Sequence, residues 1–136
     1  MNEPEKIRSI LEEAKTIAVV GCSPNPARPS NGVTRYLIEA GYEIIPVNPG
    51  HRTILGKACF PSLSEIPAEI RIDLVDVFRN SAQIAPLVEP AIASGARFFW
   101  MQEGVVDRES ARRLEEAGIG VAMDRCILKE HVRLRR

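Results

Sequence analysis

The residues able to do chemistry gather where short apolar runs give way to polar ones. Ile17, Ala18, Val19 and Val20 run into Gly21, Cys22 and Ser23, and helical periodicity resumes at Val33, Leu37 and Ile38, with Ser30 or Asn31 placed to cap. Strand, loop of small residues and helix start, in that order, make a seat for a phosphate, because free N–H groups and aligned peptide dipoles face the anion. Pro24, Pro26 and Pro29 carry no N–H. The expected donors are therefore the amides of Cys22, Ser23, Asn31 and Gly32 and the hydroxyls of Ser23 and Ser30. The stretch is neither G-x-G-x-x-G nor a P-loop, since the next glycine after Gly21 is Gly32 and no Gly-Lys-Ser/Thr follows. A plain strand-to-helix connection with no ligand is the alternative.

Other apolar runs end in residues of the same kind. Asn48 and Pro49 follow the second, Phe78, Arg79 and Asn80 the third, Gln102, Glu103 and Gly104 the fourth, and Asp124, Arg125 and Cys126 the fifth. A nicotinamide dinucleotide asks for an acid at the end of the second strand to hold the ribose diol. Asn48 stands there instead, and Glu43 lies at the strand's beginning, which weighs against NAD. A ligand with an additional phosphate, such as NADP, would favour nearby cations. Arg28, Arg35, His51, Arg52, Lys57 and Arg79 are the candidates, Arg79 foremost because it directly follows a strand. Phe78 can lie against an adenine or fill the core.

A chemical engine is harder to find. Cys22, beside a helix start, is expected to have a lowered pKa and to be a candidate nucleophile, but His51 and His131 are both distant in sequence. No C-x-x-C is present, and Cys126 with His131 makes a weak metal pair, so no metal site is expected. Glu103 and Asp107 can serve as acid or base, or simply as loop and helix-start carboxylates. No catalytic set is legible.

These residues need a frame to bring them together. Residues 3–14 carry one apolar stripe, Ile7, Ile10, Leu11 and Ala14, and read as a helix opened by Pro4. Strands are expected at 17–20, 42–47, 72–78, 96–101 and 119–124, separated by helices at about 30–40, 81–94 and 107–117. Pro46 should leave one side of the second strand unpaired or shorten it, and Pro86 and Pro90 should kink or delay the helix at 81–94. Residues 51–70 read as irregular chain with one helical turn at 62–66. Asp73 and Asp76 mark the third strand as less enclosed, toward an edge. The tail from Arg125 reads as a solvated, partly ordered end. The fold class is thus α/β, a doubly wound, Rossmann-like five-stranded parallel sheet of order 3-2-1-4-5 with helices on both faces.

Composition narrows the partners. The chain has 136 residues, expected as one domain spanning 1–136, with 18 Lys and Arg against 18 Asp and Glu. That balance gives no field to steer nucleic acid or a membrane. Three cysteines, odd in number and spread out, point to reduced thiols and a cytoplasmic setting, and no leader or spanning run is evident.

In order, "AVVGCSPNPARPSNGV", "IIPVNPG", "ILGKACFPSLSEIP", "VDVFR", "FFWMQEGVV" and "DRCILKEH" resemble the small coenzyme A-binding proteins related to the N-terminal domain of the succinyl-CoA ligase alpha subunit. The resemblance implies a Rossmann-like fold that binds coenzyme A (CoA) or an acyl-CoA. An oxidoreductase using NAD or NADP and a ligand-free interaction module are the alternatives, and a protein partner is left open. The resemblance implies Gly21, Ser23, Ser30 and Val33 around the diphosphate, to which the loop's own donors add Cys22, Asn31 and Gly32 as binding residues. Asn48, Pro49, Phe78 and Arg79 would line the nucleotide, and Gln102 and Gly104 the pantetheine side. The ligase's closely spaced glycines in the first loop are replaced here by prolines, and its phosphorylated-histidine domain has no counterpart within these residues. Binding rather than ligation is what the resemblance supports.

Overall fold

Ile17, Ala18 and Val19 are wholly withdrawn from water and Val20 nearly so, because the strand that carries them has a neighbour on each edge and helices on each face. In the computed structural model, which describes residues 1–135, the chain runs α1 (Pro4–Glu13), β1 (Thr16–Val20), α2 (Pro29–Glu39) and β2 (Glu43–Val47). It continues through β3 (Thr53–Ile54), β4 (Lys57–Ala58), β5 (Leu74–Val77) and α3 (Val88–Ala93). The last elements are β6 (Phe98–Met101), α4 (Arg108–Glu116), β7 (Gly120–Ala122) and α5 (Ile127–Leu134). The parallel sheet has five strands, in the order β2-β1-β5-β6-β7.

The Rossmann-like α/β class holds, but the strand order expected from sequence does not. Counting only the sheet strands along the chain, the order is 2-1-3-4-5 rather than 3-2-1-4-5. The third sheet strand, β5, is not at an edge. It lies between β1 and β6, and the carboxylates of Asp73, just before it, and Asp76, within it, serve the interior. Asp73 Oδ2 accepts the backbone N–H groups of Lys15 and Thr16, at 2.9 and 3.0 Å, and so anchors the start of β1. Asp76 accepts from the Gln102 amide at 2.6 Å.

The edge strands are β2 and β7, and the proline lies on β2. The carbonyl of Pro46 faces outward and accepts from Phe60 N–H, so the proline nitrogen faces outward too and no bond to β1 is lost. The prolines at 86 and 90 are absorbed in the same economical way. Two 3-10 turns, Ser81–Gln83 and Ala85–Leu87, replace the expected helix start, and α3 is only Val88–Ala93. Both prolines then fall in first turns, where an N–H has no helical partner.

Two departures concern segments read as irregular. Residues 53–58 form the hairpin β3–β4, turned by Leu55 and Gly56 at φ 54° and 74°. The expected solvated tail is instead α5, docked by the buried Ile127 and by a 2.7 Å bond between Tyr36 Oη and His131 Nδ1. Arg136, the end of that tail, lies outside the described residues.

The core has two halves separated by the sheet. Val20, Val75, Phe99 and Met101 meet α3 and α4 through Val88, Ala91, Ala111 and Leu114. Ile17, Val19, Leu74 and Trp100 meet α1, α2 and α5 through Ile10, Leu37 and Ile127. Among the described residues no helix is long and apolar enough to cross a membrane.

Candidate functional site

The strand order sets where a crevice can open. The chain passes from β1 outward to β2, then back across β1 to β5, so the connections after β1 and β5 diverge at their carboxyl ends. Gly21 follows β1 at φ 83°, and its N–H donates to Val47 O at 2.9 Å. Phe78 and Arg79 follow β5. A cleft of about 600 Å³ lies between these loops and extends over the end of β6. That volume falls within the range of pockets that enclose a small ligand.

The first loop is built from its own side chains. Ser23 N–H donates to Ser30 Oγ at 3.0 Å, and Asn31 Nδ2 donates to Ser23 O at 3.0 Å. Ser23 Oγ accepts Asn25 N–H, and Asn25 Oδ1 accepts Ala27 N–H. Ser30 and Asn31 therefore do not cap α2, which begins at Pro29 with Arg28 in the cap position. They tie the loop to the helix from within its first turn.

This tying changes the set of anion donors. The Ser23 amide is used by Ser30, and the Asn31 amide donates to Arg28 O. Both serine hydroxyls act as acceptors in these bonds, so each keeps its own hydrogen for a ligand. Arg28 and Arg79 line the same cleft as these two serines, at the start of α2, where the helix dipole favours negative charge.

Of the residues singled out from sequence, Gly21, Ser23, Ser30, Val33, Asn48, Phe78, Arg79 and Gln102 line the cleft. Cys22, Asn31, Gly32, Pro49 and Gly104 do not. Asn31 is a brace, Pro49 and Gly104 are exposed, and Gly104 N–H is held by Asp124 Oδ1 at 2.7 Å. Asn48 has a structural duty as well, its Nδ2 donating to Cys22 O at 2.7 Å.

Cys22 departs furthest from expectation. It is completely buried, and its thiol points to Thr34 Oγ1 at 3.7 Å. Burial pushes the thiol pKa up, not down, so the activated nucleophile read from sequence is not there. Cys126, which follows the last strand and was not among the expected binding residues, lines the cleft just before α5. Arg28, Pro29, Glu103 and Val105 complete the wall. Arg28 was among the cations and Glu103 among the carboxylates named from sequence, whereas Pro29 and Val105 carried no such signal.

Beneath the wall formed by Gln102 is a group that the sequence pattern disguised. Asp76 is wholly buried on β5, and burial pushes its carboxyl up to about 7 despite the Gln102 bond.

Residues 15–132 match the CoA binding domain family. The chain belongs to that family. It is 44% identical over 133 residues to the uncharacterised protein YneT of Bacillus subtilis (strain 168), an alignment covering 96% of this chain and 97% of YneT. A solved structure of a hypothetical protein from Pyrococcus horikoshii OT3 superposes with a TM-score of 0.92 at 41% identity, covering 98% of this chain and 93% of that one. The chain is also 27% identical over 124 residues to acetate–CoA ligase [ADP-forming] I of Archaeoglobus fulgidus, where the match takes in 83% of this chain and 18% of the ligase. Family membership agrees with the resemblance carried by the strand-end motifs and does not favour the dinucleotide alternative.

Proposed function

We propose that the cleft binds CoA or an acyl-CoA. The observation that carries this reading is that Ser23, Ser30, Arg28 and Arg79 line one cleft at the start of α2, in a chain of the CoA binding domain family. The diphosphate lies over Gly21, Ser23, Ser30 and Val33, where hydroxyl hydrogens are free and the helix dipole favours negative charge. The adenine nucleotide lies against Asn48 and Phe78, with Arg79 directed to a ribose phosphate. The pantetheine arm passes Gln102 toward Val105 and Cys126.

The environment of Asn48 also supports CoA over NAD. Its amide nitrogen is committed to Cys22 O, and β2 ends without the carboxylate that a ribose diol would need. Calorimetric titrations with CoA, acetyl-CoA, NADP and NAD test the proposal. Heat with CoA and acetyl-CoA supports it, whereas binding of NADP alone, or of none of the four, rejects it.

A further inference from the structure

Asp76 sits in the middle of the sheet, paired in register with Val19 on β1 and Trp100 on β6. Its Oδ1 takes the Gln102 Nε2 hydrogen bond, while Oδ2 is buried without a partner among the described residues. The groups around it are neutral or weakly acidic. From the end of β1 comes Cys22, whose thiol is raised by burial and further by the neighbouring carboxylate, with Cys59 acting on it from beyond β4. From α2 comes the Thr34 hydroxyl, occupied by that thiol. From α5 comes the Ile127 N–H, which donates to Gln102 Oε1 at 3.4 Å, with Cys126 just before it. His131, further along α5, is held by Tyr36. Among the described residues no lysine, arginine or histidine pairs with Asp76.

Gln102 is thereby fixed at both ends. Its nitrogen must face Asp76 and its oxygen must face the α5 amide, which leaves one Nε2 hydrogen uncommitted. Gln102 also lines the cleft. The Asp76 carboxyl is therefore joined, through Oδ1, to a side chain that lines the cleft, in an interior where charge is little screened.

We propose that Asp76, acting through Gln102, couples occupancy of the cleft by an anionic ligand to the uptake of one proton. The proposal rests on the CoA reading of the cleft and adds a regulation to it. A proton placed on Oδ2 leaves the Oδ1–Gln102 bond intact, so the carboxyl titrates without releasing the amide. Only the charge changes. A polyanion held in the cleft whose wall Gln102 shares favours the neutral carboxyl, and by linkage the neutral carboxyl favours the polyanion by the same factor. The burial-raised pKa of about 7 places this exchange in the neutral range.

Two measurements test it. In the free protein, the Gln102 side-chain NH₂ signals are followed by NMR from pH 5.5 to 8.5, and an inflection is expected in the wild type that is absent in Asp76→Asn. Binding is then measured calorimetrically with dephospho-CoA, whose diphosphate does not titrate near neutrality, and with CoA, in buffers of different ionisation enthalpy. Wild-type affinity is expected to fall roughly fivefold or more from pH 6 to pH 8, with proton uptake on binding. In Asp76→Asn the dephospho-CoA affinity stays level. A flat Gln102 signal, or binding of dephospho-CoA by the wild type without proton uptake near pH 7, overturns the coupling and leaves the CoA reading standing. Both of these readouts use the unmodified protein, so they decide even if the variant does not fold. Failure of CoA and dephospho-CoA to bind at any pH, with the Gln102 inflection present, rejects the CoA reading and the coupling together.

Discussion

Gly21 approaches Phe78 so closely that a Cβ at Gly21 would stand 2.6 Å from the Phe78 carbonyl oxygen. This contact closes the base of the cleft, holding the loop after β1 against the loop after β5. Alanine there faces a positive φ and a backbone clash at once. Gly50, at φ 90° with nothing within 4 Å of its virtual Cβ, has only the first problem. Urea denaturation is expected to show Gly50→Ala losing about 1 kcal/mol and Gly21→Ala losing about 3 kcal/mol or more. Equal losses would mean that the approach to Phe78 is relaxed at little cost.

Asp73 joins β5 to the start of β1 by accepting two backbone N–H groups, those of Lys15 and Thr16. Truncation to alanine strands both donors at the edge of the core. Asp73→Ala is expected to destabilise by about 1–3 kcal/mol, with Asp73→Asn intermediate because one acceptor oxygen survives. Hydrogen exchange should quicken first at Lys15 and Thr16. Unchanged protection at those two amides would remove this role.

The alternation of elements was legible because β1 and β6 are short apolar runs closed by turn residues, and α1, α2 and α4 carry apolar stripes. Strand order was not, and Asp73 and Asp76 show why. A carboxylate in a strand reads as exposure, yet one here satisfies backbone donors and the other is held by a glutamine 26 positions further along the chain. The hairpin β3–β4 escaped notice because each strand has two residues, too few for a period, and its mirror-image turn opens on Leu55 rather than the usual Asn or Asp. In the cleft, small residues after β1 were readable from composition. The inward burial of Cys22 depends on the pleat at the end of β1 and on Thr34, which no local pattern reveals.

Arg79 follows β5 and lines the cleft with part of its side chain sheltered from water. If it meets the ribose phosphate of CoA, Arg79→Ala removes a charge-assisted pair that dephospho-CoA never makes. The expected result is a loss of roughly tenfold or more in CoA affinity, with a much smaller loss for dephospho-CoA. Calorimetry with both ligands reads the difference. Equal losses for the two ligands would move Arg79 to the diphosphate instead.

His131 pins α5 to α2 through Tyr36, with the Tyr42 ring also packed edge-on against it. Burial, and then the nearby Arg135, hold its pKa below the ordinary 6.5. The folded chain thus takes up this proton less readily than the unfolded chain. The contribution of His131 is fully present above pH 6.5 and is lost as the pH falls below it, through the lowered folded value. Docking of α5 is expected to loosen on acidification, seen as faster amide exchange in residues 127–134. A His131→Gln variant should lack that pH dependence, and an unchanged dependence in the variant would assign it to another group.

Asp76 sets the opposite slope. Its carboxyl is raised from 3.8 to about 7 by burial, so the folded chain keeps a proton that the unfolded chain releases. Below pH 3.8 both states are protonated and the carboxylate adds no penalty. Between 3.8 and 7 the unfolded chain is progressively favoured, and above 7 the penalty is complete, on the order of a few kcal/mol. Asp76→Asn keeps an acceptor for Gln102 and cannot ionise. The variant is therefore expected to gain on the wild type as the pH rises from 5 to 8, whatever its offset at acid pH. Denaturation midpoints at matched pH values measure this gain. Parallel pH profiles for the two proteins would show that Asp76 ionises at its ordinary pKa, through water reaching Oδ2.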